Sequence, residues 1–171
     1  MGQDKAKLPI GGVPQAERIV RQFLVAGIPV TVLGKEPMVG AAFLKDKEES
    51  GGPIAALTVF APSADYVFVA SCDLPLFDIR IVSFLHDRIG ETEACAPEVD
   101  GFRQPLCALY SKGAFAKLAT LEDQCAMGWL NALSTTIVPE EELIKAGLKP
   151  SLARGANTPE ELAEALAEVT N

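Results

Sequence analysis

Histidine is all but missing from this chain: His86 is the only one, and a histidine-built metal site is therefore excluded. His86 falls in a helical pattern and is read as surface or half-buried. The cysteines Cys72, Cys95, Cys107 and Cys125 are widely spaced and form no C-x-x-C pair. They are read as buried, reduced thiols rather than a disulfide frame or zinc site. No apolar run reaches the roughly 18 residues that a membrane span needs. The start is no signal peptide, because a charged loop leads straight into a helix. Positive charge is also short, with 15 Lys and Arg against 23 Asp and Glu, a net charge of −8. That balance argues against nucleic acid and anionic membranes as partners, since both want a basic patch. The expectation is a cytoplasmic protein. A phosphate ligand stays open to it if a metal ion and a few local cations intervene.

What is present is ordinary for a globular domain: 171 residues, 49% hydrophobic and 22% charged. That length suits one domain with a sizeable core. Pro14 and the following "QAERIVRQFLVAG" predict a helix with Ile19, Val20, Phe23 and Leu24 on one face and Gly27 as its stop. "IPVTVL" (28–33) predicts a buried strand. A polar loop follows through Lys45 to Glu48, and Pro53 opens a short helix. "DYVFVASCDLPLF" (65–77) is the clearest strand, and a helix over 78–89 follows it. "EACAPEV" and "QPLCALYS" predict strands around the turn Asp100-Gly101. Two helical segments lie between Lys112 and Leu133, "TTIVP" is a further strand, and Thr158-Pro159-Glu160-Glu161 is a capping box launching the last helix. No repeat, linker or low-complexity tract interrupts this. Apolar strands alternating with amphipathic helices predict one α/β domain, with a mainly parallel sheet covered by helices on both faces.

In such sheets ligands bind outside the carboxyl ends of the strands, and this picks out Asp73, directly after "VFVAS". A carboxylate held there by a rigid strand suits Mg²⁺ on a phosphate substrate; alternatively, it caps the next helix. Lys5, beside Asp4, is either a point charge for phosphate or a solvated surface lysine. Gly51-Gly52-Pro53 permits close backbone approach to a base or ribose, or is a tight turn. Arg103 and Gln104, at the mouth of a strand, face a second, acidic substrate or form a polar hairpin shoulder.

Taken in order, "MGQDKAKLPIGGVP", "GGPIAAL", "VFVASCDLP", "RQPLCALYS" and "ANTPEEL" resemble the molybdenum cofactor guanylyltransferases. The five blocks run from residue 1 to the last helix. The resemblance implies a Rossmann-like nucleotidyltransferase fold and Mg²⁺-dependent transfer of GMP from GTP to the molybdopterin phosphate. Its implied GTP contacts are Lys5, Asp46, Gly52 and Asp73. Lys5 and Asp73 would be catalytic, Asp73 would be the metal ligand, and Arg103, Gln104 and Asn157 would lie toward molybdopterin. Molybdenum insertion proteins and molybdoenzyme chaperones are the further partners it suggests. Leu33 and Gly34 stand where some members have an asparagine contacting guanosine, and Gly155 where the last block often has another. Members also precede the Met-Gly step with a buried strand and a glycine-rich loop. None stands ahead of Met1 here, so the expectation is one domain over 1–171, N-terminally truncated and a poor catalyst. Three other readings compete: a molybdopterin cytidylyltransferase, a sugar-phosphate nucleotidyltransferase, and a non-catalytic binding module.

Overall fold

The computed structural model describes residues 9–10, 12–45, 52–121, 125–156 and 158–170. Strands β1 (Pro9–Ile10) and β2 (Val13–Pro14) form a small antiparallel hairpin that leads into helix α1 (Gln15–Val25). Ile19, Val20 and Phe23 are buried on the predicted face, and Leu24 is half-buried at its edge. Strand β3 (Thr31–Gly34) starts later than the apolar run that predicted it, and is only half-buried. Its partner is β4 (Ala42–Lys45), in parallel register. The sequence reading had this second strand within a loop. Its exposed, mixed composition carries no alternation, so only pairing with β3 makes it a strand.

Helix α2 (Gly52–Thr58) begins one residue before the proline that announced it. Gly52 has φ +67 and no atom within 4 Å of where a Cβ would sit. Glycine is required there by the left-handed backbone that turns into the helix, because other residues adopt it at a cost of about 1–2 kcal/mol.

The main sheet consists of β5 (Tyr66–Ala70), β6 (Ala94–Val99), β7 (Phe102–Arg103), β8 (Cys107–Ser111) and β9 (Thr135–Val138). Strand β8 is antiparallel to both β5 and β6, while β9 is parallel to β6. Strands β5, β6 and β9 thus share one direction, and β8 is the reversed member between β5 and β6. The turn Asp100-Gly101 closes a hairpin of β6 with the short β7 only. The chain then breaks at 104–106 before resuming as β8. Tyr110 fixes this break by donating its hydroxyl to the Pro105 carbonyl at 2.7 Å.

Side chains alternate across the sheet as a two-residue period demands. Cys95, Val99, Cys107 and Leu109 face one apolar cluster. It is completed by α1, by α3 (Arg80–Ile89) and by Leu143 of α5 (Glu140–Lys145). Ala94, Ala96, Ala108 and Tyr110 face the other. There they meet α2, the 3₁₀ helix Lys112–Thr120 and α4 (Ala126–Asn131). Helices therefore cover both faces. Tyr110 and Trp129 stack there with centroids 4.0 Å apart.

A second 3₁₀ helix, Pro150–Ala153, packs into the first cluster and leads to α6 (Pro159–Thr170). The capping box forms reciprocally: the Glu161 N–H donates to Thr158 Oγ1, and the Thr158 N–H to the Glu161 carboxylate, both at 3.1 Å. Cys95 and Cys107 are buried as expected, and burial pushes the Cys95 thiol up to about 12. Cys72 and Cys125 are exposed, correcting the expectation for those two. Cys72 sits in the turn after β5 between Ser71 and Asp73, and Cys125 is the N-cap of α4, where its sulfur accepts the Gly128 N–H at 3.1 Å. His86 is exposed on α3, edge-on to the Tyr66 ring. No helix among the described residues is long and apolar enough to cross a membrane.

Candidate active site

Strand β5 stops at Ala70 rather than running on to residue 77, and the turn that follows carries Asp73. Four hydrogen bonds fix this turn and the chain that follows it. The Ser71 N–H donates to the Leu106 carbonyl at 2.7 Å, tying the end of β5 to the break before β8. Arg18 of α1 donates to the Pro75 carbonyl at 3.1 Å. Gln22 of α1 donates to the Phe77 carbonyl at 2.9 Å and accepts from the Ile79 N–H at 3.1 Å. Helix α1 thus holds the second half of the loop between β5 and α3, from Pro75 to Ile79, satisfying backbone groups that would otherwise be orphaned.

The Asp73 side chain is half-buried and accepts a short hydrogen bond from the Ser71 hydroxyl. Its backbone carbonyl accepts the Ala156 N–H at 2.8 Å. The helix-capping alternative does not describe it, because α3 begins at Arg80 and Asp78 bonds the Arg80 backbone N–H. Gly155 lies against the carboxylate: a Cβ there would stand 3.5 Å from Asp73 Cγ and both its oxygens. The 154–156 segment thus passes beside Asp73, at a distance where a methyl group on Gly155 would make ordinary van der Waals contact with the carboxylate.

Asp73 lines a cavity of about 320 Å³ at the carboxyl ends of β5 and β6. Ser71, Asp100, Phe102, Gln104 and Arg154 share it. Of the residues expected from sequence, Asp73 and Gln104 are therefore brought together. Arg103 is not among the lining residues. Its guanidinium donates to Asn131 Oδ1 at 3.1 Å and stands 3.9 Å from Glu98. Period-two alternation sends neighbours on β7 to opposite faces, which separates Phe102 from Arg103, while Gln104 enters the cavity from the break after the strand. Gly52 opens α2 and does not line this cavity. Lys5, Asp46 and Asn157 lie outside the described residues.

Among the described residues, the basic group lining the cavity is Arg154, whose Nη2 stands 2.6 Å from Asp100 Oδ2. Sequence reasoning missed Arg154 and Ser71, and read Asp100 only as a turn residue. Ser71 carried a signal, two residues from Asp73 at the end of a strand. Arg154 carried none, because its position comes from the tertiary bond between Ala156 and Asp73. Among the described residues, no cluster of three or more His, Cys, Asp or Glu side chains is present.

A cavity lined by carboxylates at the ends of β5 and β6, on this fold, invites comparison with known proteins. The family model described as the MobA-like NTP transferase domain matches residues 1–137. A relative in Carboxydothermus hydrogenoformans, named a probable molybdenum cofactor guanylyltransferase, is 26% identical over 67% of this chain. The match spans 61% of that relative's own length. One of the same name in Natronomonas pharaonis is 22% identical over 95% of this chain and 88% of its own. Among solved structures, molybdopterin-guanine dinucleotide biosynthesis protein A from Archaeoglobus fulgidus superposes with a TM-score of 0.80 at 19% identity. The likeness covers 99% of this chain and 92% of that one. The 2-C-methyl-D-erythritol 4-phosphate cytidylyltransferase of Thermus thermophilus superposes at 0.68 and 20% identity, over 99% and 95%. Those likenesses establish a Rossmann-like nucleotidyltransferase fold, and the match over 1–137 adds the family: this chain belongs to the MobA-like NTP transferases.

Proposed function

We propose that the protein transfers GMP from GTP to the terminal phosphate of molybdopterin. A phosphate oxygen of molybdopterin attacks the α-phosphorus of GTP, forming a new P–O bond. The bond from that phosphorus to its bridging oxygen breaks, and pyrophosphate leaves with the electron pair. The attacking phosphate is already ionised near neutral pH, so no general base is needed. The observation that carries the reading is Asp73, rigidly held at the end of β5 in the cavity, within a chain of this family.

The donors around Asp73 are all oxygen: its own carboxylate and the Ser71 hydroxyl. That chemistry fits Mg²⁺, which binds through one or two carboxylates plus substrate phosphates and needs no all-protein cage. Asp73 would hold it, and the ion would supply charge neutralisation on the departing pyrophosphate. The chain's own contribution is placement. The Leu106 carbonyl and the Ala156 N–H keep the Asp73 turn fixed and α1 holds the chain just beyond it, Ser71 sets the carboxylate's orientation, and the cavity walls bring two phosphates into line. Lys5, Asp46 and Gly52 are proposed GTP contacts, and Gln104 and Asn157 acceptor contacts, on the family resemblance; Arg103 is proposed there as a long-range positive charge only.

Asp73→Asn keeps size and hydrogen bonding but removes the charge. Transfer should fall by roughly a hundredfold or more at saturating Mg²⁺, with an unchanged circular dichroism spectrum. Near wild-type turnover would end the assignment of Asp73. The same assay run with CTP decides between guanylyl and cytidylyl transfer, and binding of either nucleotide without turnover would favour a non-catalytic module.

A further inference from the structure

The charged groups lining the cavity among the described residues are Asp73, Asp100 and Arg154. Two carboxylates and one guanidinium make this described lining net negative, which by itself is a poor receptor for a phosphate. Arg154 is the cation that offsets this, and its placement is not incidental. It follows the 3₁₀ helix Pro150–Ala153, whose Leu152 and Ala153 are buried in the core. Its own N–H bonds the Ser151 carbonyl at 3.2 Å. The next two residues are Gly155, packed on the Asp73 carboxylate, and Ala156, bonded to the Asp73 carbonyl. The backbone of Arg154 is therefore tied to the same turn that carries Asp73. Its side chain is 48% exposed and turned to Asp100, which is 57% exposed. Asp100 is braced in turn: it holds φ 53 in the turn with Gly101, and its N–H donates to the Glu140 carboxylate.

We infer that Arg154 binds the acceptor's phosphate, and that Asp100 competes for it when the acceptor is absent. The inference rests on the transfer reading above and names the residue that receives the second substrate. A guanidinium presents five donors in a planar fork matched to phosphate oxygens. Both members of the ion pair are half-exposed, so the pair is weak enough for a doubly charged phosphate to displace. The exchange leaves Asp100 near the bound phosphate as a like charge, which opposes binding. Phe102, on the lip of the same cavity and 71% exposed, leaves an apolar wall for the body of the acceptor.

Two variants of one ion pair then have effects of opposite sign. Arg154→Gln should raise the acceptor KM by roughly 10–100-fold, the value of a charge-assisted bidentate contact. The GTP KM should move by less than about twofold, because a contact made only to one substrate leaves the other's binding alone. Arg154→Lys should recover part of the loss. Asp100→Asn retains an oxygen to orient the guanidinium but removes the charge, so the acceptor KM should fall about two- to fivefold. A merely structural pair would give losses of the same sign in both variants, with no split between substrates.

The measurements are steady-state KM for each substrate, and calorimetric titration of molybdopterin into nucleotide-free protein. An unchanged acceptor KM and Kd in Arg154→Gln, an equal rise for GTP, or a higher acceptor KM in Asp100→Asn each overturns the inference. Molybdopterin binding that depends on Arg154, in a wild-type protein that never turns over, would sink the transfer reading and keep this site. Turnover indifferent to Arg154 would do the reverse.

Discussion

At the scale of the residue, Ser71 matters through a single hydroxyl. It donates to one oxygen of Asp73 while its backbone N–H is fixed on Leu106. Among the described residues, the Ser71 hydroxyl thus engages one carboxylate oxygen, Oδ1. Partners of this kind change metal affinity by about 10–100-fold when removed. Ser71→Ala should accordingly raise the Mg²⁺ concentration for half-maximal transfer roughly tenfold, with stability lowered by only about 1 kcal/mol. Ser71→Thr keeps the hydroxyl and should restore the Mg²⁺ requirement. A variant with the wild-type Mg²⁺ curve but lower stability would make Ser71 a structural residue only. Asp73 was legible in the sequence because a strand-end carboxylate follows from topology alone. Arg154 was not: its relation to Asp73 exists only once Ala156 has bonded across about eighty positions of chain.

Among the elements, legibility followed hydrophobic period. Helices α1 and α3 and strands β6 and β8 have strong periods and match their expected bounds within a few residues, while β5 starts as expected but ends at Ala70 rather than at residue 77. Strand β4 and helix α5 were not found: the first is largely exposed, and the second opens with Glu140, Glu141 and Glu142 and buries only Leu143. The starts of β6 and β9 and the end of β8 are instead joined by a polar residue, Glu93. Its backbone N–H donates to the Ser134 carbonyl and its own carbonyl accepts from Ser111, both at 2.8 Å. Its carboxylate accepts from Lys117 at 2.8 Å and from the Ser134 N–H at 2.9 Å. The Lys117 hydrogen bond first, then the Ser134 N–H, hold this carboxyl below its ordinary value of 4.5. A depressed folded pKa contributes stability that is present above the unfolded value and lost as pH falls through the folded one. The stability gap between wild type and Glu93→Gln should thus be widest near neutral pH and narrow progressively below pH ~4.5. Urea titrations at several pH values measure that gap directly. A gap that stays constant to pH ~3 would mean the ionised carboxylate contributes nothing to the junction.

For the whole molecule, the decisive feature is one sheet serving two cores. Adjacent residues of β6 and β8 point to opposite clusters: Cys95 and Leu109 to one, Ala94, Ala96 and Tyr110 to the other. Neither cluster keeps its floor if the other is lost, because both lie on the same hydrogen-bonded strands. The chain should therefore unfold as one cooperative unit, which also tests the expectation of a single domain. The protein supplies its own probe, since Trp129 is its only tryptophan, is fully buried and stacks on Tyr110. Leu85 is fully buried on α3, in the cluster across the sheet. Leu85→Ala removes packing there and leaves a cavity, at a cost of about 2–5 kcal/mol. In urea, Trp129 fluorescence should report that loss from the far face, with a midpoint lowered as much as that of far-UV circular dichroism. If dichroism moves and fluorescence does not, the two faces unfold separately. The sheet then holds the active-site turn to only one of its cores, the one that α1 shares with Phe77 and Leu74. Coincident midpoints mean that both cores melt together with the sheet whose β5 carries the Asp73 turn, and alignment of two phosphates demands a frame of that kind.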